Sequence, residues 1–210
     1  MSMKIVIFGG SFNPPGKHHC QIAKELSRQF NLVIIVPCGP RPDKPSANII
    51  ELKHRKEMVE LAFTDLVKPK QTKRGKTRFD FFDLDNRVYT PTYFLQKRYE
   101  KKFPRAEIWH LVGSDIIIGG CGKKSEIHRV WQRGNKIWKN LNFLVGLRPN
   151  YDICPEDLPP KARTIKIKNA DGSGTEIRRK IKSGESLENL LIPEVAGYIK
   201  KNKLYGYLQA

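Results

Sequence analysis

The first stretch with residue types suited to chemistry follows the first apolar run directly. It reads Gly9-Gly10-Ser11-Phe12-Asn13-Pro14-Pro15-Gly16-Lys17-His18-His19. Adjacent glycines let the chain turn tightly and bring backbone N–H groups close to a phosphate, and the N-terminus of a following helix attracts the same anion. His19 could donate a hydrogen bond to a phosphoryl oxygen, and Lys17 could do so with less directionality. The stretch therefore predicts a phosphate site; the alternative is a plain turn with two surface histidines.

A second stretch of this kind lies near the C-terminus and reads Asp171-Gly172-Ser173-Gly174-Thr175-Glu176-Ile177-Arg178-Arg179. It predicts a helix N-terminus that carries two hydroxyl groups and exposed N–H groups. Arg178 follows within one turn and offers a planar guanidinium that matches phosphate oxygens. The alternative is an ordinary N-cap on an exposed helix.

The elements that must position these residues alternate between short apolar runs and amphipathic stretches, which is typical of a parallel sheet with crossover helices. The predicted strands are 4–8, 32–36, 79–83, 108–112, 142–145 and 164–167, and the predicted helices are 19–29, 51–63, 91–103, 126–135, 175–182 and 193–202. We therefore expect an α/β, Rossmann-like open parallel sheet with flanking helices and a helical C-terminal segment. One domain is expected over residues 1–210, with 171–210 as its helical part. The first stretch then follows the first strand, where open α/β sheets bind ligands.

Composition limits the classes of function. Lys and Arg number 39 against 21 Asp and Glu, a formal net charge of +18. No apolar run is long enough to span a bilayer and no secretory leader is recognisable, so the sequence predicts a cytoplasmic protein without a membrane partner. The four cysteines lack zinc-site spacing and are expected to be buried or unreactive thiols. The basic residues are scattered without RNA-binding aromatic signatures, so attraction of a polyanionic small substrate explains the charge at least as well as nucleic acid does.

The first stretch resembles the G-x-F-x-P-x-H-x-G-H signature of the nucleotidylyltransferase superfamily. Ser11, Phe12, Asn13, Pro14 and His19 fall on that pattern. The first His of its H-x-G-H element is Gly16 in this chain, and its Gly is His18. Because both family histidines contact the nucleoside triphosphate, the resemblance implies that either His18 substitutes for the missing one or Lys17 supplies a donor.

The second stretch resembles the I-S-S-T-x-I-R signature of the same superfamily. Four of its residues match, namely Ser173, Thr175, Ile177 and Arg178. Gly172 stands in place of the first Ile of the signature, and Gly174 in place of its second Ser.

Between the two signatures the similarity points to one branch, the nicotinate-nucleotide adenylyltransferases. Gly113-Ser114-Asp115 looks like the branch's G-[AS]-D, and Trp131 looks like the Trp that lies beside the pyridine ring. Thr90 falls on a Thr that helps to receive the pyridine carboxylate, and Lys44 falls on a basic loop position. A helix cap remains the alternative for Asp115, as a core position does for Trp131.

The resemblance implies adenylyl transfer from ATP to nicotinate mononucleotide, with nicotinate adenine dinucleotide and pyrophosphate as products. ATP would carry Mg²⁺, and no protein cluster dedicated to the metal is expected. The catalytic residues would be His19, Lys44 and Arg178. ATP would be bound by Gly9, Gly10, Ser11, Phe12, Lys17, His18, Gly113, Ser173 and Thr175, and the mononucleotide by Thr90, Asp115 and Trp131.

Two other functions stay open at this point. The same chemistry could act on another acceptor, such as nicotinamide mononucleotide or phosphopantetheine, and donors around Thr90 would discriminate between a pyridine carboxylate and an amide. A protein of a different class would keep the nucleotide fold only for binding ATP or RNA, with steep salt dependence and no pyrophosphate release. Self-association into a homo-oligomer is compatible with either.

Overall fold

The computed structural model describes residues 2–41, 49–67, 76–147, 153–167 and 172–207. Its strands are β1 (Lys4–Gly10), β2 (Leu32–Pro37), β3 (Lys76–Phe79), β4 (Glu107–Gly113), β5 (Asn142–Gly146) and β6 (Ala162–Ile165). Its α-helices are α1 (Lys17–Gln29), α2 (Leu52–Val67), α3 (Phe82–Asp85), α4 (Thr92–Lys102), α5 (Ser114–Ile117), α6 (Glu126–Arg129), α7 (Gly134–Asn140), α8 (Gly174–Lys182) and α9 (Pro193–Lys201). Short 3₁₀ turns lie at Pro155–Asp157 and Leu204–Gly206.

All six strands form one parallel sheet in the order β3-β2-β1-β4-β5-β6. The chain winds outward in both directions from the centre, so the switch in strand order falls between β1 and β4. The residues Ile5, Val6, Ile7 and Phe8 are all buried because helices cover both faces of the sheet. The Rossmann-like α/β fold expected from the alternating pattern is confirmed.

Each face of the sheet has its own apolar core. Alternate residues of β1 and β2 pack against α1 and α2 on one face, around Phe8, Val33 and Phe63. The intervening residues of β1 and β2 point to the opposite face and pack against α4, where Leu95 and Tyr99 contact Ile5 and Ile7. The strands thus alternate their side chains between two buried layers, which fixes the register of β1 in the centre.

The C-terminal helices pack on α2 rather than on the sheet. Ile177, Ile181, Val195 and Ile199 form one buried cluster with Met58. This packing brings the N-terminus of α8 to the sheet end at which β1 finishes, as the contacts below show.

The predicted strand 79–83 and the predicted helix 126–135 differ most from the observed elements. The predicted strand 79–83 is a strand only at Phe79, the last residue of β3, because Asp83 lies in α3 and is buried with its carboxylate bonded to Thr90. The predicted helix 126–135 divides into α6 and α7 because Arg133 adopts a left-handed backbone conformation, with φ of 61°. These short helices carry Trp131 between them.

The cysteines also differ from expectation. Cys20 and Cys38 are partly buried, and desolvation raises the pKa of both thiols, that of Cys20 to about 11. Cys121 and Cys154 are exposed, so burial does not hold for these two, and their low reactivity stays a prediction. Among the described residues, no helix is both long and apolar enough to cross a bilayer.

Candidate functional site

A crevice opens at the carboxyl ends of β1 and β4. The two strands are paired from Lys4 with Glu107 to Ile7 with His110, whereas the pairing of β1 with β2 continues to Gly10 with Pro37. The last residues of β1 and β4 therefore part from each other. Gly9, Gly10 and Gly113 lie at this opening, which is the usual ligand position of an open α/β sheet.

The loop after β1 is held in one conformation by packing. Phe12 has a φ of 44°, unusual for a residue with a side chain, and its ring is buried edge-on against Phe8 at 5.2 Å and Phe63 at 5.7 Å. A Cβ atom on Gly10 would lie 3.1 Å from the Phe12 ring, so the glycine leaves room for it. The Asn13-Pro14 peptide bond is cis.

A buried arginine supports the same loop. The guanidinium of Arg55 on α2 is fully buried, and its NH1 group donates a hydrogen bond to the carbonyl oxygen of Ser11 at 2.9 Å. This bond orients the Ser11 peptide unit. The sequence analysis assigned Arg55 no role.

His19 is fixed in a definite tautomer at the start of α1. The backbone N–H of Gly16, the N-cap residue, donates to Nδ1 of His19 at 3.0 Å. Since Nδ1 accepts this bond, the neutral ring carries its proton on Nε2. His19 can therefore donate a hydrogen bond through Nε2, as the predicted phosphate contact requires.

The second signature stands against the first. Ser173 is the N-cap of α8, and its hydroxyl oxygen accepts from the backbone N–H of Glu176 at 3.1 Å. Arg178 donates from NH1 to the carbonyl oxygen of Asn13 at 2.7 Å and from NH2 to Oγ1 of Thr175 at 3.1 Å. The guanidinium thereby joins the two predicted phosphate segments across 165 residues of sequence.

Gly174 and Tyr205 complete this junction. A Cβ atom on Gly174 would lie 3.1 Å from NH1 of Arg178, so a side chain there would crowd the contact with Asn13. The buried hydroxyl of Tyr205 donates to Oδ1 of Asn13 at 2.5 Å, and desolvation raises the pKa of that phenol. Sequence reasoning missed Tyr205, since nothing in the local pattern links it to a residue 192 positions earlier.

Lys17 is directed to the C-terminal segment. Its Nζ donates to the carbonyl oxygen of Glu188 at 2.5 Å, and its backbone N–H donates to the carbonyl oxygen of Leu190 at 2.8 Å. The sequence left His18 and Lys17 as possible replacements for the motif histidine that is Gly16 in this chain. In the structure, the ammonium group of Lys17 is directed to the C-terminal segment.

Thr90 does not present its donors outward. Its backbone N–H donates to Oδ2 of Asp83 at 2.8 Å, and its hydroxyl donates to Oδ1 of the same carboxylate at 2.6 Å. Asp83 is only 3% exposed, so the pair forms a closed, buried interaction. The hydroxyl oxygen of Thr90 retains lone pairs and can still accept a hydrogen bond.

The other two residues predicted to bind the mononucleotide, Asp115 and Trp131, lie on the β4 side of the crevice. Asp115 is in the first turn of α5, immediately after Gly113 and the fully buried Ser114. Trp131 is half-buried against the core around Ile127, and its Nε1 donates to Oε1 of Glu126 at 3.3 Å. Lys44 lies outside the described residues.

A comparison with protein-family models matches residues 7–180 to the cytidylyltransferase-like family. A protein of Methylacidiphilum infernorum named as a probable nicotinate-nucleotide adenylyltransferase is 29% identical over 97% of this chain and 93% of its own length. One of Pelobacter propionicus with the same name is 26% identical over 97% and 98%.

Solved structures with the same fold include nicotinic acid mononucleotide adenylyltransferase of Plasmodium falciparum complexed with NaAD. It superposes with a TM-score of 0.77 at 23% identity and covers 98% of both chains. The same protein complexed with APC gives a TM-score of 0.77 at 21% identity over 98% of both chains. At these identities the match supports the fold.

Proposed function

The chain belongs to the cytidylyltransferase-like family, and on that premise we propose that it transfers the adenylyl group of ATP to the 5′-phosphate of nicotinate mononucleotide. The observation that carries the proposal is the junction at the crevice, where Arg178 binds the Asn13 carbonyl beside the N-termini of α1 and α8. Two helix N-termini and a guanidinium in one place suit a polyphosphate. Relatives named for this reaction, aligned along nearly the whole chain, support the choice of acceptor.

The reaction needs no covalent enzyme intermediate. An oxygen of the acceptor phosphate attacks the α-phosphorus of ATP and forms the new P–O bond. The bond from that phosphorus to the bridging oxygen of the β-phosphate breaks, and its electron pair leaves with pyrophosphate. Since the nucleophile is already an anion, the protein has to align the two substrates and to stabilise negative charge on the phosphates.

The described residues supply such stabilisation. Nε2–H of His19 and the guanidinium of Arg178 are hydrogen-bond donors that other contacts hold in place, so little reorganisation is needed when charge develops. Asn13 and Thr175 act as positioning residues because they hold the guanidinium rather than the substrate. Lys44 remains a proposed third donor.

We propose that Mg²⁺ enters this site bound to the phosphates of ATP. Among the residues that the structure describes, no group of three His, Cys, Asp or Glu side chains could hold a metal ion. Mg²⁺ prefers phosphate oxygens and water, and when bound it would neutralise charge on the departing pyrophosphate.

One contact favours a second candidate acceptor. Because Thr90 gives both of its donors to Asp83, it offers a hydrogen-bond acceptor beside a carboxylate rather than a donor. An amide would donate to such a pair, whereas a pyridine carboxylate would be repelled by it. Nicotinamide mononucleotide is therefore the second candidate, with the same adenylyl transfer.

The test compares acceptors under one set of conditions. Pyrophosphate release is measured with ATP and Mg²⁺ in the presence of nicotinate mononucleotide, nicotinamide mononucleotide or phosphopantetheine, and His19→Ala serves as the inactive reference. The proposal expects the highest kcat/KM with the nicotinate substrate. Preference for the amide would replace it by the second candidate, and ATP binding without turnover of any acceptor would refute both.

The pair at Thr90 gives a sharper variant of the same test. Asp83→Asn removes the carboxylate charge and keeps the size, so the ratio of kcat/KM for the nicotinate over the nicotinamide substrate should rise. An unchanged ratio would show that the Asp83–Thr90 pair does not face the pyridine substituent.

A further inference from the structure

His18 lies in the space that a side chain at position 16 would occupy. An ideal Cβ atom on Gly16 would be 2.7 Å from both Cε1 and Nδ1 of the His18 imidazole. Gly16 itself has φ of −100° and ψ of 171°, an extended conformation that any residue can adopt. The backbone therefore allows a side chain at position 16, and the space for it is filled by the His18 ring, with Cδ1 of Ile177 at 2.9 Å beside it.

Helix geometry explains how the ring reaches this place. Gly16 is the N-cap of α1 and His18 is two residues further, in the first turn. Side chains of helical residues tilt toward the helix N-terminus and cover the turn that precedes their own Cα atom. The His18 imidazole is thus directed back toward the loop that precedes α1. Gly16 lies there because its backbone is extended rather than helical.

A second glycine borders the ring from the other signature. A Cβ atom on Gly172 would lie 2.6 Å from Nδ1 of His18, and its φ of 153° is itself rare for residues with a side chain. The His18 ring is therefore enclosed by glycines from both phosphate segments. It is 7% exposed, and its centroid is 3.9 Å from that of the His19 ring.

The first signature of the resembled superfamily has the reverse arrangement, with His at the position of Gly16 and Gly at the position of His18. We propose that the two positions have exchanged roles, so that His18 supplies the second phosphate-binding imidazole beside His19 and the glycines at 16 and 172 make room for its ring. We assign this role to His18 rather than to Lys17, because the ammonium group of Lys17 is directed to the C-terminal segment, where it donates to the Glu188 carbonyl oxygen. The inference rests on the proposed function only in taking ATP as the ligand.

If the two positions have exchanged roles, each single substitution should weaken ATP binding and the double substitution should restore it. His18→Gly removes the imidazole, and Gly16→His places a second ring against the first, so each single variant should bind ATP about tenfold to hundredfold more weakly, the range for a hydrogen bond to a charged group. The double variant Gly16→His with His18→Gly restores the superfamily arrangement and should return to within about tenfold of wild type, a non-additivity expected for residues in contact. The remaining close atom, Cδ1 of Ile177 at 2.9 Å from the new Cβ, is a side-chain end that can shift.

ATP affinity is the readout, measured by isothermal titration calorimetry with Mg²⁺ and ATP and without any acceptor. Thermal unfolding of every variant is recorded beside it. His54→Ala is the matched control, because it removes an imidazole that contacts Tyr198 at 2.9 Å and should leave ATP affinity unchanged.

The outcomes separate this inference from the proposed function. A double variant that binds no better than His18→Gly overturns the exchange, even when wild type turns over its acceptor. Rescue of ATP affinity supports the exchange whichever acceptor is used. If His18→Gly lowers the unfolding temperature but leaves ATP affinity unchanged, the imidazole serves only packing and the inference is wrong. The inference is also wrong if the wild-type protein does not bind ATP.

Discussion

Arg178→Lys tests the junction between the two phosphate segments. The substitution keeps the positive charge but removes the planar fork that places NH1 on the Asn13 carbonyl and NH2 on Thr175. An ammonium group can keep at most one of these bonds in the same geometry, and losing one bond from a charged donor costs about 1.5–3 kcal/mol. Because Arg178 is half-buried, we take the lower part of that range, which corresponds to a decrease in kcat/KM of about 10-fold to 50-fold.

The neighbouring residue provides the matched control. Arg179 is 60% exposed and pairs with Glu185, with NH1 at 2.5 Å and NH2 at 3.3 Å from the two carboxylate oxygens. Arg179→Lys makes the same chemical change one residue away from the junction. Exposed ion pairs contribute about 0–1 kcal/mol, so this variant should keep its activity.

The assay is steady-state pyrophosphate release over a range of ATP concentrations, with both variants and wild type at one pH. The account predicts that Arg178→Lys loses activity while Arg179→Lys does not. The unfolding temperature of each variant is measured beside it, and the assay is run well below the lower one, where both variants are folded. Equal activity of Arg178→Lys and wild type would refute the reasoning that the guanidinium fork organises the site.

Three further predictions concern other parts of the molecule. Trp131→Ala should raise KM for the acceptor mononucleotide and leave the KM for ATP nearly unchanged, as measured by varying each substrate in turn; a change confined to ATP would contradict the assignment. Tyr205→Phe should lower the free energy of unfolding by about 1–3 kcal/mol in urea denaturation, because the buried Asn13 side chain loses its hydrogen bond; unaltered stability would show that the bond is dispensable. Burial lowers the pKa of His110, whose Nε2 lies 2.7 Å from Oε1 of Gln96, from 6.5 to about 4. The unfolded chain then binds a proton at higher pH than the folded one, so the free energy of unfolding should fall as the pH drops from 6.5 toward 4, by about 3 kcal/mol in full. His110→Gln should flatten that part of the pH–stability curve. A curve of unchanged slope would contradict the burial argument.

The sheet and the two phosphate segments could be predicted because their signals are local. Ile5 to Phe8 is an uninterrupted apolar run followed by glycines, and that pattern alone predicts a buried central strand with a turn at its end. The same holds for β2, β4 and β5, and the observed starts of α1 and α8 lie within two residues of the predicted ones.

The contacts that join the two phosphate segments could not be predicted, because they depend on residues distant in sequence. The predicted strand 79–83 overlaps α3 at residues 82 and 83, since the burial of Asp83 depends on Thr90 and has no local signal. The sequence left His18 and Lys17 as equal substitutes for the missing histidine. The structure separates them through Gly172 and Glu188, both contributed by the C-terminal segment.

Adenylyl transfer itself is tested most directly by following the phosphates of ATP. The protein is incubated with Mg²⁺, nicotinate mononucleotide and ATP labelled either at the α- or at the γ-phosphate, and the products are separated by chromatography. The account predicts that the α label appears in nicotinate adenine dinucleotide and the γ label in pyrophosphate, in equal amounts. Release of the γ label as inorganic phosphate, or an α label that remains in ATP and AMP alone, would contradict it.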